Sequence, residues 1–150
     1  MPIARNSDQG GTLEEFYQEI AAREKQQYNT LEGIIGLGKA TLHLLARINE
    51  LFPTTQLWGL TSLGHLVIQH ADDWQTDWFI RITGGLLGEY QFEYLLPPDR
   101  RPWPGAYVRG EAPTLVDAER YLLIAMRECR GWENNAELAA HLTRHGLFLG

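Results

Sequence analysis

Cysteine is almost missing from this chain, whose 150 residues hold one, Cys129. A single thiol excludes an internal disulfide framework, and the apolar residues at helical spacing around Cys129 make it a small buried core residue. A reducing, cytoplasmic setting fits that usage. Long apolar runs are missing too. Stretches such as Tyr121 to Met126 fall far short of the roughly 20 residues that cross a bilayer, and the polar start of the chain has no signal-peptide core. No membrane partner is expected. Clustered positive charge is also lacking: 13 Lys and Arg face 19 Asp and Glu for a net charge of -6, and Arg100-Arg101 is the one adjacent basic pair. Nucleic-acid binders gather such residues into a patch that displaces phosphate counterions, so nucleic acid is not an expected partner. There is no internal repeat and no low-complexity tract.

What is present is an ordinary globular balance, 44% hydrophobic and 21% charged. A single domain of this length buries roughly 70% of its unfolded surface and needs no staple. Residues 1–11 read as a flexible lead-in and 12–150 as one α+β domain. Thr12 and Glu15 form a capping box, with Leu13, Phe16, Tyr17 and Ile20 at helical spacing behind it, so a helix is predicted to about Tyr28. Gly33, Gly36 and Gly38 loosen the chain at a cost of roughly 1 kcal/mol each within a helix. A second helix follows from Lys39 through Leu42, Leu45, Ile48 and Phe52, and Pro53 stops it.

From Gln56 to Leu96 the period changes to two. His65–His70, Trp78–Thr83 and Glu89–Tyr94 alternate in period two, and with Gln56–Leu60 they predict a four-stranded antiparallel meander. Four prolines stiffen residues 97–105, and Tyr107–Arg109 can add a short edge strand. A third helix begins at Thr114 with Asp117 in its first turn, and a last one at Asn134 with Glu137. The expected fold is therefore α+β, with N-terminal helices, the meander, and two C-terminal helices packed on one face of the sheet.

Each chemical motif has a plainer reading beside it. Gly33–Lys39 approaches the phosphate-binding pattern GxxxxGK, but Ala40 stands where a magnesium-binding hydroxyl belongs, and the polar segment ahead is no buried strand. A glycine-loosened junction is the better reading. Glu137, His141 and His145 line one helix face, yet Leu142 occupies the place of the glutamate that a zinc protease uses as base. Histidines there complement the helix C-terminus instead. His65 and His70 are an odd number apart on one strand and so face opposite ways. Asp72, Asp73 and Asp77 enrich a turn without a calcium-loop pattern. Glu89 and Glu93 would stand roughly 13 Å apart, beyond paired glycosidase carboxylates. No nucleophile motif is present. No catalytic residue, metal or cofactor is expected, and the chain reads as a binding protein rather than an enzyme.

The remaining signal is aromatic. Trp58 and Trp78 belong to strands and read as core, whereas Trp74 and Trp103 fall in loops beside acidic and basic residues, where tryptophan anchors interfaces. The expected function is a protein-interaction module whose contacts are Trp74, Trp103, Asp72, Asp73 and Asp77, with another protein as partner. In size, acidity and α+β make-up, though in no motif, the chain resembles the small immunity or adaptor proteins of bacteria. Two alternatives stand beside it. One is a small-ligand binder or enzyme with a pocket between sheet and helices, using Tyr90, Tyr94 and His65 or His70. The other is a subunit of a homo-oligomer joined through the sheet face or an edge strand.

Overall fold

The computed structural model describes residues 2–76 and 78–147. Its elements run β1 (Ala4–Arg5), α1 (Leu13–Gln27), α2 (Leu37–Leu51), β2 (Trp58–Ser62), β3 (His65–Gln69), β4 (Phe79–Gly84), β5 (Tyr90–Leu95), β6 (Tyr107–Ala112), α3 (Leu115–Glu128) and α4 (Ala136–Arg144). The class is α+β, but the sheet has six strands in the order β1-β2-β3-β4-β5-β6 rather than four. The predicted meander forms its centre, all antiparallel. β6 adds antiparallel to β5, and β1 adds parallel to β2.

The two extra strands differ from the expectation for different reasons. β1 lies where a lead-in is read, and two residues are too few to show a period of two. It is held by long-range contacts: Ala4 and Asn6 donate to the Leu57 and Gly59 carbonyls at 3.0 and 2.8 Å, and Ile3 is buried in the core. Beyond β1 the Gln9 side chain takes over the ladder. Its amide donates to the Thr61 carbonyl at 2.7 Å and accepts from the Thr61 N–H at 2.8 Å. β6 is longer than predicted because its inward residues include Gly110 and Ala112, too small to register as alternation.

One sheet face carries Leu66, Ile68, Ile80, Ile82, Tyr90, Phe92 and Tyr94, all buried with the helix residues Leu44, Leu45, Ile48, Leu122 and Met126. α2 packs on β4, and α3 on β4, β5 and β6. α4 does not follow the expectation of packing on the sheet as α3 does; it packs on α3 and closes the α2–β2 connection, where Glu137 accepts from Thr54 and Thr55. Its cap is Asn135, whose Oδ1 accepts from Leu138 N at 2.8 Å. Asn134, the predicted start, instead adopts a left-handed turn with φ 64°. Gly38 lets α1 and α2 cross closely, since a Cβ there would stand 2.5 Å from Ala21 N.

Candidate functional site

Strand alternation sends every second side chain to the face opposite the helices, and the register aligns these into three rows. At one end lie Trp58, Gln69, Phe79, Leu95 and Tyr107. The middle row is Leu60, Val67, Arg81, Glu93 and Arg109. The third is Ser62, His65, Thr83, Gln91 and Glu111. The rows pass from mostly apolar to charged and polar, and among the described residues α1 to α4 pack on the opposite face or on one another.

The charged rows surround a depression of about 350 Å³ lined by His65, Arg81, Thr83, Gln91, Glu93, Arg109 and Glu111. Glu93 sits between two guanidiniums, 3.0 Å from Arg109 Nε and 3.5 Å from Arg81 Nη1. Among the described residues Arg81 Nε is buried without a hydrogen-bond partner, as is Gln69 Oε1. His65 Nδ1 bonds the Thr83 hydroxyl. A base beside a hydroxyl is half of a nucleophile arrangement, but among the described residues no carboxylate bonds the His65 ring to orient it, as such chemistry requires.

The loop tryptophans lie at one end of the sheet. The β3–β4 loop carries Trp74 and the β5–β6 loop Trp103, and both loops leave the sheet from the end marked by the aromatic row. Trp74 is 59% and Trp103 66% exposed. Two strand spacings, roughly 10 Å, separate the roots of these loops. Asp72 and Asp73 are exposed in the same β3–β4 loop and shape it: Asp72 accepts from Ser7 N and Asp73 from Gln75 N, each at 3.0 Å. Asp77 lies outside the described residues. Trp58 stands half-buried on the helix-free face and is not part of the core as predicted. Trp78 is half-buried on the other side against Gly131. The fully packed tryptophan is Trp132, edge-on to His70.

The other candidates disperse. Tyr90 donates to the Ala40 carbonyl at 2.7 Å and Tyr94 to Glu128 at 2.7 Å, both on the helix side, while His65 is on the opposite face. These three therefore do not meet. His141 is buried against the Leu51 carbonyl, His145 stands 3.5 Å from Glu119, and Glu137 serves Thr54 and Thr55. Among the described residues no group of three His, Cys, Asp or Glu could hold a metal. At the glycine motif the first N–H groups of α2 are already occupied, by Glu24. Burial raises the Cys129 thiol to about 11, far from a reactive thiolate.

No protein-family model, no curated protein and no solved structure matches the chain. Function must therefore be argued from this surface alone.

The sequence marks Arg81 and Glu93 as outward positions of alternating strands. It does not bring them together, because that depends on register, and Arg109 enters only once β6 is known. Their partnership is thus visible only in the assembled sheet.

Proposed function

We propose that this chain is a non-enzymatic protein-interaction module, of the kind bacteria use as immunity or adaptor proteins, that offers the helix-free face of its sheet to another protein. The observation that carries the reading is the exposure of Trp74 and Trp103 in two loops at the same end of the sheet. Large aromatic rings left in water are anchors of low entropic cost, and a surrounding polar rim supplies specificity. Here the rim is the row of Arg81, Glu93 and Arg109, with Asp72 and Asp73 beside Trp74. The acidic net charge steers such a module toward a basic partner. The single buried Cys129 suits a cytoplasmic site of action.

The test is affinity capture from the host's lysate with the wild type and with the double variant Trp74→Ala, Trp103→Ala. A protein held near stoichiometry by the wild type and lost by a stably folded double variant supports the module. Equal retention by both would remove the tryptophans from the interface.

A second reading rests on the depression beside His65 and Arg109, which has the volume of a small-molecule site. A thermal-shift screen of anionic metabolites tests it, because a ligand that binds only the folded state raises the melting temperature. Stabilisation lost in Arg81→Ala supports a ligand there, and no shift with any compound removes this reading.

A further inference from the structure

The two edges of the sheet are treated differently by the sequence. At the β2 edge, β1 and the Gln9 amide cover the ladder groups of Leu57, Gly59 and Thr61. At the other edge β6 runs six residues with no proline inside it. Leu96 donates to the Ala106 carbonyl at 3.3 Å. Antiparallel ladders alternate, so Val108, Gly110 and Ala112 turn their backbone groups to β5 and Tyr107, Arg109 and Glu111 turn theirs outward. Among the described residues these outward groups meet no backbone partner. An uncovered strand of this length is a template for another strand.

We infer that β6 pairs antiparallel with β6 of a second copy of this chain, about a two-fold axis through Gly110. The charge order of the strand selects this occupant and this register. With Gly110 facing Gly110 of the second copy, Arg109 of each copy stands opposite Glu111 of the other, so the two ion pairs repeat by symmetry, as an isologous contact requires. Moving the axis to Arg109 sets arginine against arginine, and moving it to Glu111 sets glutamate against glutamate, both destabilising. Glu111 is exposed and has no ion pair within its own chain among the described residues, while Arg109 is 75% exposed and uses only Nε on Glu93. Pro113, lacking an N–H, ends the ladder.

Gly110 stands at the centre of β6 with its helix side at ordinary contact distance from its neighbours. Over its inner side lies Tyr121, whose Cε2 would be 3.4 Å from a Cβ at Gly110. Beside it a shallow space of about 290 Å³ lies between the sheet and α3, lined by Phe92, Val108, Tyr121 and Ile124 among others. The helix-free faces of the two copies then join into one surface, with the helices of both on the far side.

Sedimentation equilibrium of the full chain tests the pairing, with Glu111→Arg and Arg109→Glu studied separately and mixed. The wild type is expected to be a reversible dimer at micromolar concentration. Each variant alone sets like charges opposite one another and raises the dimer Kd by roughly tenfold or more. Mixed in equal amounts, the two variants restore both ion pairs and form a heterodimer. Glu111→Arg breaks no ion pair within the chain, and circular dichroism melting confirms that it is folded. A monomeric wild type, variants that dimerise as the wild type does, or folded variants that fail to associate when mixed would each overturn the inference. The tryptophan experiment above changes neither Arg109 nor Glu111, and Glu111→Arg changes neither tryptophan, so either result can fail alone.

Discussion

The Glu24 carboxylate grips the start of α2: Oε1 accepts from Gly38 N and Oε2 from Leu37 N, each at 2.8 Å. Gly36 stands at the N-cap with no side chain to offer, so a residue of the preceding helix neutralises the positive helix end instead. This is why a glycine run resembling a phosphate loop is structural here. Glu24→Ala is expected to cost about 1 kcal/mol, the usual worth of a cap. Urea unfolding of the variant measures it, and an unchanged midpoint would mean that water replaces the carboxylate without loss.

Gly38→Ala should destabilise, against the general trend. Alanine improves an ordinary helix by about 1 kcal/mol over glycine. At this position its Cβ would stand 2.5 Å from Ala21 N and 2.7 Å from the Tyr17 carbonyl, which belong to backbone and cannot step aside cheaply. The helix crossing must open. A lower melting temperature for Gly38→Ala than for the wild type is the expected result, and an equal or higher one would mean that the crossing yields without cost.

The tryptophans should separate into two groups. Trp132→Ala empties a core position and is expected to lose about 3–5 kcal/mol. Trp74→Ala and Trp103→Ala remove exposed rings and should stay within about 0.5 kcal/mol of the wild type. Chemical denaturation of the three variants decides this. A large loss at Trp74 or Trp103 would show that the ring supports the fold.

Glu119 is buried and holds Arg47 through both carboxylate oxygens, at 2.9 and 3.0 Å. The hydrogen bonds that Arg47 donates to Glu119, and then to Glu50, raise its pKa above the usual arginine value. Because the Arg47 side chain is 36% exposed, solvent screens part of this attraction, and Glu119→Ala is expected to cost about 1–3 kcal/mol. The double variant Arg47→Met, Glu119→Leu should recover much of it, since apolar groups of similar volume replace a partly buried pair at little cost. Thermal unfolding of both variants shows whether they differ in this order.

Stability should fall in alkali. Burial raises the Tyr90 phenol from 10.0 to about 12, and burial pushes Tyr17 and Tyr94 up as well. The folded state therefore keeps protons that the unfolded chain releases. This contribution is complete below about pH 10 and is lost as pH rises through about 12. Unfolding free energy measured from about pH 8 to about pH 11 should decline, and more gently in Tyr90→Phe, which removes one of the titrating groups.

Local chemistry was legible in the sequence wherever one turn of chain decides it. Thr12 accepts from Glu15 N at 3.0 Å and Thr114 from Asp117 N at 3.2 Å, both caps as predicted. The period-two strands also form. What failed depends on distant partners. Asn134 and Asn135 are equally good caps by composition, and only the tight turn after Trp132 selects the second. β1 exists because Leu57 and Gly59 offer it an edge, and β6 extends through small residues that hydropathy does not mark. The position of Trp58 on the helix-free face follows from its pairing with Gln69, which no single strand reveals.

The Gln9 amide fills the place of a peptide group at the end of β1, and this limits how many neighbours one molecule can have. If β6 pairs as inferred, a sheet with one open border joins one other and stops, giving a pair of fixed size. Remove the first nine residues and the β2 border opens as well, so each molecule gains a second attachment point and assembly has no natural end. Under the inferred β6 pairing, the segment from Ile3 to Gln9 is thus what would hold assembly to a finite pair rather than a fibre.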